Sequence, residues 1–209
     1  ITVVLVAFSF WGMSKVIPVA YMADDIPQDS EVISDLKYIE EEFNGAFPLE
    51  ILIDTKKPRQ VNKRRNLQKL SRFQDSLATY NDISRSVSIA DFAKFCRQAF
   101  FEGGREDYDL PTRNEYNFIA DYVRNTQMFQ ELSFSKNLTD STFQITRVSA
   151  SVRDVGSLKM EELVDSLQSD LDAVFPPKNY NTYITGTTRI FVKANEKLVN
   201  NLLQSRSEE

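Results

Sequence analysis

Between Asp29 and Asp54 the spacing of apolar positions changes once, from a helical period to an alternating one. Val32, Ile33, Leu36, Ile39 and Phe43 fall on one helical face, while Glu31, Asp35, Glu40, Glu41 and Glu42 fall elsewhere. Gly45 suits the left-handed position that closes a helix. Pro48 then opens an extended run in which Leu49, Ile51 and Ile53 share a face and Leu52 takes the other. A strand apolar on both faces is expected inside a sheet, with something packed on each side.

The pattern continues along the chain. Lys15 to Pro27 reads as a connection, extended from Val16 to Met22, and Asp24-Asp25 beside Pro27 read as solvated turn residues. Leu67, Leu70, Phe73, Leu77 and Tyr80 supply the core face of a helix, and Ile83 and Val87 mark a short strand over Asp82–Ser88. Helices are predicted at Ile89–Phe101 and near Asn114–Met128, the second with Tyr116, Ile119, Tyr122 and Val123 as its apolar face. Between them Gly103-Gly104 and Pro111 punctuate a polar segment.

Ser141–Val155 is the longest strand signal. Phe143 and Ile145 lie on one parity and Val148, Ala150 and Val152 on the other, so either both faces are covered or a bulge shifts register near Thr146. Met160, Leu163, Val164, Leu167, Leu171 and Val174 then form the clearest helical stripe, ended by Pro176-Pro177. A strand at Asn181–Thr185 and a turn at Gly186 follow. Thr187 or Thr188 caps a last helix with Phe191, Ala194, Leu198 and Leu202 on one face. Strand, helix, strand, helical insertion (about residues 89–130), strand, helix, strand is an α+β order of the ferredoxin-like, split β-α-β kind, with helices on one face of the sheet.

Composition narrows the chemistry. The 209 residues carry a net charge of -5, which argues against a general nucleic-acid binder. There is no histidine, so the commonest general base and zinc ligand are missing. The one cysteine, Cys96, sits in the apolar pattern Phe92, Ala93, Phe95, Cys96, Ala99, Phe100 and reads as a small buried hydrophobe. Glu106, Asp107 and Asp109 do not match a calcium loop. Ser133 and Lys136 have the S-x-x-K spacing without its companion K-T-G element, and Asn137-Leu138-Thr139 is an isolated sequon. No metal, cofactor or catalytic residue is assigned, and an enzymatic role is not expected.

Two stretches concern membranes. Residues 1–13, ITVVLVAFSFWGM, carry no charge but fall short of the roughly 20 apolar residues of a full span. Together with the approach to Val16 they read as the end of a truncated transmembrane helix, residues 1–16, with Trp11 near its polar boundary. Between Lys56 and Arg72 eight basic residues occur without an acid. Lys63, Arg64 and Arg65 are the candidate contact with anionic headgroups; a solvated linker entering a helix fits the pattern better.

Four stretches, in this order, resemble one family. DIPQDSEVISDLKYIEEEFNGAFPLEILID (25–54), SVSIADFAKFCRQAF (86–100) with YDLP (108–111), RVSASVRDVGSLKMEELVDSL (147–167) and YITGTTRIFVKANEKLVNNLLQS (183–205) are similar to the large loops of RND superfamily exporters, in the MMPL-like and hydrophobe/amphiphile branch. Asn44-Gly45 departs from the two adjacent glycines of that turn, a small change because asparagine tolerates left-handed backbone.

The resemblance implies an extracytoplasmic, periplasmic-side porter domain over residues 17–186 of a protein in the inner membrane. Residues 187–209 would be a helix leading towards the next span. Its partners would be the other loops and membrane helices of the same proton-driven transporter, and its substrate lipidic or amphiphilic, held in an apolar cleft. The wording of PLEILID and ITGT favours the second large loop. A soluble periplasmic lipid-binding or scaffold module is the alternative, and an enzyme using two carboxylates, such as a glycosidase, is a third.

Overall fold

The computed structural model describes residues 19–125 and 137–205. Among them are six α-helices and a three-stranded antiparallel sheet, a mixed α+β fold. β1 (Phe47–Asp54) is the central strand, between β2 (Ile145–Val152) and β3 (Asn181–Thr185). The β1–β2 ladder runs residue for residue from Phe47 opposite Val152 to Asp54 opposite Ile145, so no bulge interrupts it. The parity conflict has another cause. Phe143 lies ahead of the strand with left-handed backbone, φ 53°, and Ile145 faces outward at 37% exposure.

Residues 83–87 flank the free edge of β2 through bridges of Ile83 with Val152 and Val87 with Ser149. The strand expected over Asp82–Ser88 is thus reduced to two bridges. Between them the Ser84 hydroxyl, not a main-chain carbonyl, takes the Ser151 N–H at 2.8 Å.

The inner face of the sheet carries Leu49, Ile51, Ile53, Val148 and Val152, all buried. Against it pack the stripe Leu67, Leu70, Phe73 and Leu77 of α2 (Arg64–Leu77) and the stripe Met160, Leu167 and Leu171 of α5 (Ser157–Val174). Each such side chain removed from water contributes about 1.5–3 kcal/mol. Lys69 of α2 donates to the last-turn carbonyl of α5, Val174 O, at 2.8 Å, and its ammonium lies 4.4 Å from the Tyr180 ring centroid. This contact ties the two helices together beyond their apolar stripes.

The outer face is different from the expectation of packing on both sides. There Glu50 takes the Ser149 hydroxyl at 2.7 Å and pairs with Arg147 at 3.3 Å, and Leu52 lies between Arg147 and Tyr183. Tyr183 is 56% exposed, so this side is a polar surface rather than a second core.

α1 (Glu31–Phe43) also departs from its pattern. Ser30 caps it, accepting from Ile33 N. Of its apolar stripe only Ile33 is buried; Val32, Ile39 and Phe43 are exposed. The helix is held at its C-terminal end by polar bonds: Asn44 Nδ2 donates to the carbonyls of Asn81 and Ile83, both at 2.9 Å, and the Glu40 carboxylate accepts from Asp154 N at 2.7 Å. Glu40 is therefore no merely solvated acid. Asn44, not Gly45, takes the left-handed closing position, φ 59°. Gly45 instead passes so close to β2 that an added Cβ would stand 2.8 Å from the Ser151 and Val152 backbone.

The insertion between residues 88 and 145 holds α3 (Ile89–Phe100), a 3-10 turn at Arg105–Asp107 and α4 (Glu115–Asn125). Arg97 joins all three, bonding Glu115 at 3.0 Å and the Asp107 carbonyl at 2.9 Å. Cys96 is buried beside Ile119, and burial pushes its thiol up to about 12.

α6 (Thr187–Ser205) begins immediately after β3. Its buried face is Thr188 and Val192, not the Phe191, Ala194 and Leu198 line, since Ala194 and Leu198 are exposed. Thr188, expected as a cap, lies inside the helix and donates to Pro48 O at 3.1 Å. At the same end of the sheet the chain enters. Ser157 N donates to Ala20 O at 2.8 Å, and Ala23 N donates to Asp154 at 2.9 Å. Residues 20–23 and the first turn of α6 therefore attach at the same end, where β1 begins and β2 and β3 finish. No described helix is long and apolar enough to cross a membrane. Residues 1–16, including Trp11, and the Ser133–Lys136 pair lie outside the described residues.

Candidate functional site

The basic run between Lys56 and Arg72 divides once folded. Lys56 donates to Pro177 O at 2.8 Å and Lys69 to α5, so both have structural work. Lys63 and Arg64 start α2 and line an open basin of about 400 Å³ with Arg59, Arg113, Tyr116 and Asn117. Arg65 does not line it; its charge acts on Lys69 and Tyr180 instead. Burial, then the charges of Arg65 and Arg72, lower the pKa of Lys69. The basin's walls are tied together by Tyr116, whose hydroxyl donates to Asn62 O, and by Arg64 Nε, which donates to Pro111 O at 3.2 Å.

A larger cleft of about 980 Å³ opens between the 83–87 edge and the insertion. Val87, Phe92 and Phe95 give it apolar wall, while Arg85, Arg105 and Tyr108 are among its polar side chains. Its one lining carboxylate, Asp91, is saturated by structure. It caps α3 through Ser88 N at 2.8 Å and accepts from Gln74 at 2.6 Å and Tyr108 at 3.1 Å. Burial first, then the Asp91 charge and hydrogen bond, raise the Tyr108 phenol, while Arg85 opposes the shift. Two guanidiniums and two phenylalanine rings lining one cleft suit a ligand with an anionic head and an apolar body.

No family model matches the chain, and no curated protein matches it.

Asp24 is a turn residue, accepting from Tyr21 N at 2.9 Å. Asp107 serves Arg97. Among the described residues no cluster of three or more acids or cysteines is placed to hold a metal. What spacing alone could not reveal is convergence: Arg113 lines the same basin as Lys63, and Arg105 the same cleft as Arg85.

Proposed function

We propose that this chain is the extracytoplasmic porter domain of a proton-driven RND-type exporter, with a ferredoxin-like split β-α-β unit as its rigid body. The observation that carries the reading is the shared attachment of residues 20–23 and the start of α6. Two neighbouring membrane spans must leave a loop domain side by side, and residues 19–23 and α6 attach at one end of the sheet. The strand order supports it too: 83–87, β2, β1, β3 places β2 antiparallel between the two strands that α2 connects. The apolar residues 1–13 precede this entry point.

In this reading the cleft lined by Phe92, Phe95, Arg85 and Arg105 faces the substrate passage, and motion of the membrane helices reaches the sheet through its one attached end. The basic basin is the observation that favours the alternative, a periplasmic lipid-binding or scaffold module. The reading frame around the 209 residues separates the two. Apolar segments of about 20 residues on both sides are expected of the porter domain. A frame that closes on either side without such a segment contradicts it.

A further inference from the structure

We propose that the basin formed by Arg59, Lys63, Arg64 and Arg113 is a binding site for a phosphate-type oxyanion, as a free phosphate ester or as a phospholipid headgroup. The four cations come from three segments: the loop after β1, the start of α2 and the turn before α4. No carboxylate lines the basin. Acids on the adjoining segments are already engaged. Glu115 serves Arg97 at 3.0 Å and Thr112 N at 2.9 Å, and Asp140 accepts from the main chain of Thr142, Gln144 and Ile145. Among the described residues none of the four cations forms an ion pair.

Four like charges around one concavity repel one another, and an oxyanion that neutralises them is the direct relief. The geometry suits it. Arg64 is oriented by its Nε bond to Pro111 O, which leaves its two terminal nitrogens for a bidentate contact. Lys63 stands at the first turn of α2, which carries arginine at both opening positions, no acid and no side-chain cap. A helix start normally prefers negative charge, so this one adds to the cationic field of the basin rather than offsetting it. The site is separate from the aromatic cleft and does not depend on the porter reading.

The test uses the full chain. Inorganic phosphate is titrated while amide shifts are followed, with chloride at equal ionic strength as reference. In parallel, co-sedimentation is measured with phosphatidylglycerol vesicles and with phosphatidylcholine vesicles. Lys63→Gln with Arg113→Gln is the test pair, and Lys57→Gln with Arg72→Gln is the charge-matched control outside the basin. Saturable shifts confined to residues 59–64 and 113–117 are expected, weakened about tenfold or more in the test pair only. The same variant dependence on phosphatidylglycerol vesicles assigns a headgroup; dependence with phosphate alone assigns a soluble ester. Absence of binding to both probes, shifts that follow ionic strength alone, or equal losses in both pairs overturn the proposal.

Discussion

α1 and α5 carry similar apolar stripes, and the fold treats them in opposite ways. In α5, Met160, Leu167 and Leu171 are buried against the sheet and α2, and Val164 is buried as well. In α1, Val32, Ile39 and Phe43 of an equally regular stripe stand exposed, and the helix is secured by Ile33, Asn44 and Glu40. Periodicity therefore reports which face of a helix is apolar, not whether that face is covered. α5 is packed along its length, whereas α1 is held by one buried side chain and by polar bonds at its C-terminal end.

The sharpest way to break this contrast is truncation in α5. Leu167→Ala is expected to cost about 2–5 kcal/mol by urea denaturation, because a fully buried side chain leaves a cavity. A loss no larger than that of an exposed site would mean that α5 is not core. Next in size is Asn44→Ala. It removes two hydrogen bonds at about 1 kcal/mol each and places alanine in left-handed backbone at about 1–2 kcal/mol. Hydrogen exchange is expected to quicken across residues 31–43 while α5 keeps its protection. Equal quickening in both helices would merge them into one cooperative unit.

Much of the fold was legible in the residues. Ser157–Val174 forms the helix its apolar spacing predicts, with one buried stripe, and Asn181–Thr185 forms the predicted strand, though its residues are half-buried or exposed. Phe143 breaks the strand's parity because it is a turn residue ahead of β2 and not part of it. The buried face of α6 does not follow its apolar spacing, because Thr188, a polar residue, packs inward to reach Pro48 O. The basin was half legible. Lys63 and Arg64 stand together in sequence, but Arg113 joins them only through the fold of the insertion.

A smaller effect tests how the insertion is held. The Arg97 hydrogen bond lowers the Glu115 carboxyl below its ordinary pKa, aided by Thr112 and opposed by burial. A lowered folded-state pKa gives stability that is present above the unfolded value, near 4.3, and lost as pH falls through the folded one. Acid below that range is expected to loosen the α3–α4 contact by about 1 kcal/mol or less, since the pair is partly solvated. Arg97→Gln should remove this component of the pH profile; an unchanged profile would assign it elsewhere. Smallest of all is Phe43→Ser in α1, expected within about 0.5 kcal/mol of the parent protein. A loss of several times that amount would show the α1 stripe to be covered in solution.

The reading as a porter domain is tested most directly by transport through the intact gene product. Cells expressing it are loaded with a fluorescent anionic amphiphile, and retention is followed with and without a proton uncoupler, with membrane-fraction abundance checked by immunoblot. The account predicts lower retention than in cells lacking the gene, loss of that difference with uncoupler, and a reduced difference in Arg85→Gln with Phe95→Ala. Retention identical with and without the gene, at normal abundance in the membrane fraction, would contradict it.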